Sequence, residues 1–189
     1  MATRQVDYFD KAGQANSDRC VEIARQLVAE GYTNVVVAST TGETGVKIAR
    51  ALHGLGANLV VVTHSAGFKE PNSLELTVEN EKEIRKLGAR IFTGTILTHS
   101  LESSLAAQFS GIYPTMLIAQ SLRRLGEGLK VACEIVMEAC DAGLVPEEQE
   151  VVALAGTARG ADTVVIIKSA ASKRFLKLKV LEILAKPRE

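Results

Sequence analysis

The sequence predicts an α/β fold with a mostly parallel sheet. Short unbroken runs of β-branched residues, typical of strands buried on both faces, alternate with amphipathic segments of helical period. The connections between the first strands are long enough for the crossovers that parallel strands require. Only a few residues separate the last two buried strands, so we expect those two to be antiparallel neighbours.

Five buried strands are predicted from their apolar runs. They cover residues 35–39, 58–64, 89–94, 151–156 and 162–168. The apolar spacing of residues 175–187 fits either a helix or an edge strand, and we favour a short turn followed by a strand.

Six helices are predicted between these strands, from apolar spacing, N-terminal caps and terminating glycines. They cover about residues 17–30, 43–53, 78–87, 100–109, 114–125 and 129–142. Asn16 or Ser17 is expected to cap the first helix, and Thr77 the third. Pro114 fits the first turn of the fifth.

The composition limits the classes of function. The 189 residues are 47% hydrophobic and 23% charged, which indicates a single globular domain. Lys plus Arg and Asp plus Glu both number 22, so the basic excess of a nucleic-acid-binding protein is absent. Five Phe, three Tyr and no Trp also disfavour a stacking platform for single-stranded nucleic acid.

Cysteine usage and hydropathy suggest a cytoplasmic protein. Cys20, Cys133 and Cys140 form no C-x-x-C pair, so we expect small buried hydrophobes rather than disulfides or a metal site. No apolar run approaches the ~20 residues that cross a membrane, and the first residues lack the apolar stretch of a signal peptide. We therefore expect no membrane partner and a reducing compartment.

The loop STTGETG at residues 39–45 is the first candidate binding site. Ligands of open α/β sheets bind beyond the carboxyl ends of the strands, and this loop lies between a strand and a helix. Its hydroxyl side chains, its flexible glycine and the N-terminus of the next helix predict phosphate binding. Helix capping alone is the alternative. The candidate residues are Ser39, Thr40, Thr41, Gly42, Glu43 and Thr44.

The loop GTARGADT at residues 156–163 is the second candidate. Its glycines allow close approach of the backbone to a ligand, and its Thr and Arg side chains can bind phosphate or hydroxyl groups. A simple hairpin connection is the alternative. The candidate residues are Gly156, Thr157, Arg159, Gly160, Asp162 and Thr163.

The segment THSAGF at residues 63–68 supplies the third group, Thr63, His64 and Gly67. A histidine at a strand end could act as an acid, a base or a hydrogen-bond donor, although a passive loop histidine is the alternative. His99 is a weaker candidate. No complete catalytic set is recognisable, so the catalytic residues are unknown apart from the candidate His64, and whether the protein is an enzyme stays open.

Two runs resemble the pyruvate kinase C-terminal domain. NVVVASTTGETGVKIARAL is similar to its opening strand, loop and helix, and VVALAGTARGADTVVII to its late strand, glycine-rich loop and final strand. Over nearly its full length the chain resembles the stand-alone pyruvate kinase alpha/beta domain-like proteins of archaea and bacteria. The resemblance implies a three-layer α/β/α fold with sheet order 3-2-1-4-5 and an antiparallel last strand. Loops 39–45 and 156–163 would then face each other across one crevice.

The resemblance also implies a small-molecule binding protein for a phosphate-bearing ligand, with flavin mononucleotide (FMN) as the favoured candidate. The sequence has no segment for the catalytic barrel, so pyruvate kinase activity is not expected. Glu43 stands where a basic or neutral residue would favour phosphate, which argues against a sugar bisphosphate. The alternatives are a flavin-dependent oxidoreductase or a phosphosugar-acting enzyme using His64, or a regulatory module that forms a homo-oligomer through the C-terminal edge strand around 176–184.

Overall fold

The computed structural model describes residues 3–188. Seven strands of this part form one sheet: β1 (Asp7–Phe9), β2 (Asn34–Ala38), β3 (Asn58–His64), β4 (Arg90–Gly94), β5 (Glu150–Ala155), β6 (Thr163–Lys168) and β7 (Lys179–Pro187). Six α-helices accompany them: α1 (Ser17–Ala29), α2 (Glu43–Leu52), α3 (Val78–Lys86), α4 (Leu101–Phe109), α5 (Pro114–Arg123) and α6 (Glu127–Asp141). Short 3₁₀ helices occur at Gln14–Asn16 and Ser172–Lys177.

The strands lie in the order β1-β7-β6-β5-β2-β3-β4. Strands β5, β2, β3 and β4 are parallel to one another, and β6 is antiparallel to both β5 and β7. The five predicted buried strands therefore stand in the predicted order, with the last one antiparallel. The α/β class is confirmed, and the sheet differs in detail because β7 and β1 extend it beyond β6.

The sheet lies between two helical layers. Alternate residues of the central strands face opposite sides, as the pleat of a strand requires. Val35 and Val37 of β2 belong to one core together with α1, α2 and α3, whereas Val36 belongs to a second core with α6. Helix α5 packs on α6. These two cores explain why the central strands are apolar on both faces.

The C-terminal segment forms a 3₁₀ turn followed by a strand, as predicted. This strand is not the outermost one, contrary to expectation, because β1 pairs with it in parallel from Ala185 to Pro187. The N-terminal strand is only three residues long and was not predicted. Association of two copies through β7 stays a prediction for residues 179–184, which β1 does not pair with.

Other local expectations are confirmed in part: within residues 3–188, α1 has no side-chain cap although Asn16 precedes it, and Cys140 is only partly buried, whereas the following two hold. The Thr77 hydroxyl caps α3 by accepting a hydrogen bond from the backbone N–H of Asn80 (3.2 Å). Cys20 and Cys133 are buried free thiols, and burial raises the pKa of each to about 12. Within residues 3–188, none of the helices is long and apolar enough to cross a membrane.

Candidate functional site

A cavity of about 200 Å³ lies at the carboxyl ends of β2 and β3. Its wall comes from the first loop residues after β2, the end of β3, the segment after β4, and one face of α6. Helix α6 covers this face of the sheet and is buried along nearly its whole length. The cavity therefore occupies the position where open α/β sheets bind ligands.

The loop after β2 forms the N-terminus of α2. Ser39 is buried, and its hydroxyl accepts a hydrogen bond from the backbone N–H of Gly45 (2.9 Å). Gly42 has a φ of +93°, which a side chain rarely adopts, and an added Cβ would lie 2.6 Å from that of Asn80. The Thr41 carbonyl accepts from the Asn80 side chain (2.9 Å) and from the Thr77 N–H (3.3 Å). Helix α3 thus holds the loop in place.

Five consecutive backbone N–H groups in this loop have no hydrogen-bond partner among residues 3–188. They belong to Thr40, Thr41, Gly42, Glu43 and Thr44. Successive free N–H groups at a helix N-terminus form a concave site for an anion. The Glu43 side chain is exposed, and Thr40, Thr41 and Thr44 are half-buried.

His64 lies at the end of β3 and connects this loop to a carboxylate. Its Nδ1 is 2.8 Å from Oε2 of Glu75, and its Nε2 is 3.5 Å from the hydroxyl of Thr40. The ring packs against Phe68 with 4.2 Å between ring centroids. The neighbouring Thr63 is buried and shares a 2.7 Å hydrogen bond with Thr93, so it fixes the strand end.

Helix α6 contributes three buried charged residues to the cavity wall. Lys130, Glu134 and Glu138 follow one another at four-residue spacing and are 2–3% exposed. Lys130 forms an ion pair with Glu134. The other oxygen of Glu134 accepts from the Thr98 backbone N–H (3.1 Å) and hydroxyl (2.5 Å).

Lys130 is thus the one cation of this row, beside the two carboxylates of Glu134 and Glu138. Burial, together with the nearby charge of Glu134, raises the pKa of Glu138 from 4.5 to about 8, although the Leu97 backbone N–H donates to it. Burial and the charge of Lys130 also lower the pKa of His99. Glu138 is therefore mostly uncharged at neutral pH, when the row carries no net charge.

The second predicted loop does not line this cavity, and its last residues, 161–163, are buried in the protein. Asp162 is fully buried and accepts hydrogen bonds from the N–H groups of Gly13 (2.8 Å) and Thr157 (3.0 Å) and from the Thr163 hydroxyl (2.8 Å). A Cβ on Gly128 would lie 2.1 Å from the Thr163 hydroxyl, so the start of α6 packs directly on the loop. The cavity is therefore not the predicted crevice between the two loops.

The remaining candidate residues also lie away from the cavity wall. Gly160 packs against Ser17 and Gln14, whereas Gly156 faces the Gly160 carbonyl and Arg159 is exposed. Gly67 is exposed in the loop after β3, where its N–H donates to the Ser73 carbonyl (2.9 Å). Of the fifteen candidates, the structure brings Ser39, Thr40, Thr63 and His64 together around the cavity.

Sequence reasoning missed Glu75 and the charged row of α6. The row did leave a signal, because three charges at four-residue spacing interrupt the apolar sequence of a helix that ought to be buried. Glu75 left none. It lies in an irregular loop eleven residues after His64, where no periodicity relates the two.

The model of the family described as "Pyruvate kinase, alpha/beta domain" matches residues 15–167. The chain belongs to this family. Strand β7 and strand β1 lie outside the matched residues. The family thus accounts for the five central strands of this pyruvate kinase alpha/beta domain and for both loops that carry the resemblance.

Similar solved structures include O-ureido-L-serine synthase, with 16% identity over 76% of this chain and 51% of that chain and a TM-score of 0.32. Diaminopropionate ammonia lyase from Escherichia coli, in its apo form, is 17% identical over 68% of this chain and 39% of that chain, with a TM-score of 0.31. This chain thus spans about half of the first protein's length and 39% of the second's. Likenesses this remote carry no argument about its function.

Proposed function

We propose that this domain binds a small phosphate-bearing molecule, with the phosphate on the loop 39–45 and the rest of the ligand in the cavity. The observation that carries the proposal is the run of five unpartnered N–H groups from Thr40 to Thr44. The loop meets the cavity at Ser39 and Thr40. A phosphate there would satisfy donors that residues 3–188 leave without partners.

Backbone dipoles rather than free cations would hold the phosphate. The N-terminus of a helix carries roughly half a positive charge. The two cations in the cavity wall are each paired with a glutamate: Arg123, at the end of α5, with Glu127 at the start of α6, and Lys130 with Glu134 one turn along α6. This arrangement suits a ligand with one phosphate and is consistent with a chain of zero net charge.

FMN remains the favoured probe, and the cavity fits part of it. About 200 Å³ is below the roughly 300–1,000 Å³ of most ligand pockets, so the enclosed space suits the phosphate and an attached polyol chain. Thr40 and His64 could contact the polyol, whereas the flavin ring would extend toward Phe68 at the rim. FMN supplies redox chemistry when bound, and the residues of this chain would bind and orient it.

The proposal is tested by comparing FMN with riboflavin, which lacks only the phosphate. We expect flavin fluorescence titrations to give at least about tenfold tighter binding of FMN, equivalent to about 1.4 kcal/mol. Inorganic phosphate should compete with FMN. Equal affinities for the two flavins, or failure to bind either FMN or inorganic phosphate, would overturn the proposal.

Glu43 allows a sharper test, because its charge opposes the phosphate. Replacing Glu43 with Gln removes an exposed carboxylate from the first turn of α2. We expect about two- to fivefold tighter binding of FMN or inorganic phosphate, corresponding to about 0.5–1 kcal/mol for an exposed charge at a helix end. Glu79→Gln, in the first turn of α3, is the matched control and should leave affinity unchanged. Equal affinities of the Glu43 and Glu79 variants would place the phosphate elsewhere.

A further inference from the structure

We propose that Nε2 of His64 accepts a phosphoryl group from a small acyl phosphate bound at this site, so that the domain catalyses hydrolysis through a phosphohistidine. The inference rests on the proposed phosphate site and adds a reaction to it. It depends on the geometry around His64, which joins the anion-binding loop to a carboxylate within one cavity.

Glu75 fixes which ring nitrogen is free. Its carboxylate can only accept a hydrogen bond when ionised, so Nδ1 of His64, at 2.8 Å, must be the protonated nitrogen. In the neutral ring, Nε2 then carries the lone pair. That nitrogen points to the Thr40 hydroxyl (3.5 Å), which belongs to the proposed phosphate loop.

Packing and hydrogen bonds hold His64, Glu75 and the loop 39–45 in fixed positions relative to one another. Glu75 directly precedes Leu76 and Thr77, and Leu76 packs on Gly42 of the loop. The backbone N–H of Thr77 donates to the Thr41 carbonyl. Phe68 packs on the imidazole from the rim of the cavity, at 4.2 Å between ring centroids. Nucleophile, orienting carboxylate and anion site are thus held in one arrangement, as covalent catalysis requires.

The reaction needs no reactant besides the acyl phosphate and water. The Nε2 lone pair attacks the phosphorus, the bond between phosphorus and the acyl oxygen breaks, and the carboxylate leaves with the bonding electrons. Glu75 stabilises the positive charge that develops on the ring through the Nδ1 proton. Water then attacks the phosphohistidine, which releases phosphate and restores the lone pair on Nε2.

The other two histidines lack this arrangement, and His53, which lies outside the cavity, serves as the control. His99 also lines the cavity, but its Nδ1 faces the Thr98 hydroxyl (3.0 Å) rather than a carboxylate. His53 is exposed at the end of α2, where Nδ1 faces the Leu87 carbonyl (3.1 Å). Neither residue belongs to the proposed phosphate loop.

The test is incubation of the purified protein with acetyl phosphate, followed by intact-mass analysis and ³¹P NMR. We expect one phosphoryl group per chain, labile in acid and stable in alkali, which distinguishes phosphohistidine from phosphothreonine. His64→Gln should abolish it, whereas His53→Gln should retain it. Glu75→Gln should slow its formation by at least about tenfold, because an amide stabilises the charged ring less.

Competition of inorganic phosphate with FMN is measured on every variant and separates the possible failures. If wild-type protein binds phosphate but neither acquires a phosphoryl group nor hydrolyses acetyl phosphate, the present inference is wrong and the proposed function stands. Modification that survives His64→Gln, or acid-stable modification of Thr40, would also overturn it. If Glu75→Gln changed neither the rate of modification nor phosphate binding, Glu75 would not be a positioning residue.

Discussion

Glu138 should make the stability of this domain depend on pH. The residue is 3% exposed, and its burial, followed by the charge of Glu134, raises the pKa of its carboxyl from 4.5 to about 8. Between these two pH values the folded protein holds a proton that the unfolded chain has released. The free energy of unfolding contributed by this group therefore falls as pH rises from about 4.5 to about 8, and stays low above that.

The size of the effect follows from the pKa difference. One pKa unit corresponds to about 1.4 kcal/mol, so the ionised carboxylate destabilises the folded state by several kcal/mol at pH 9, with roughly 5 kcal/mol as the upper bound. Glu138→Gln removes the charge and keeps the shape and the acceptor for the Leu97 N–H. We expect it to match wild type at pH 5 and to be more stable by several kcal/mol at pH 9.

Urea unfolding at pH 5, 7 and 9 measures this difference, because groups that do not interact with Glu138 titrate alike in both proteins. Glu134→Gln is the contrasting variant. It leaves Lys130, which is 2% exposed, without its partner and should lower stability at every pH by about 3–5 kcal/mol. A difference between wild type and Glu138→Gln that does not change with pH would refute the assignment of a raised pKa.

Two further predictions concern the loop 156–163 and are checked by urea unfolding at pH 7. Gly128→Ala places a Cβ 2.1 Å from the Thr163 hydroxyl and should cost about 1–3 kcal/mol or more, so an unchanged midpoint would show that the start of α6 can move away. Asp162→Ala leaves the N–H groups of Gly13 and Thr157 without their acceptor and should cost about 2–4 kcal/mol. Asp162→Asn keeps one side-chain oxygen that can accept from both N–H groups, so it should recover most of that loss. Equal losses of stability in the two variants would contradict the role of Asp162 as their acceptor.

Most of the fold could be predicted because its signals are local. The apolar runs of β2 and β3, the Thr77 cap and the terminating glycines each act within a few residues. The position of β7 between β6 and β1 could not be predicted. Pairing between Asp7 and Ala185 joins the two ends of the chain, and a strand of three residues shows no periodicity.

Some residues of the candidate site could likewise be predicted from local sequence signals, and others could not. Ser39, Thr40 and His64 could be predicted because each follows a recognisable buried strand, and the strand ends bring them together. The burial of Lys130, Glu134 and Glu138 could not, since charges at four-residue spacing more often form a solvated helix face. The internal hydrogen bonds of Asp162 could not be predicted, because its partners, above all Gly13, are distant in sequence.

The pairing of β1 with β7 has a consequence for how the chain folds. Parallel pairing of Asp7 with Ala185 closes a loop of almost the whole sequence, and such distant contacts slow folding. On the ribosome, β2, β3 and β4 can pair as soon as they emerge, whereas β1 must wait for β7 to be synthesised. Until then one edge of the sheet stays open, so the nascent domain depends on β7 to protect it from aggregation.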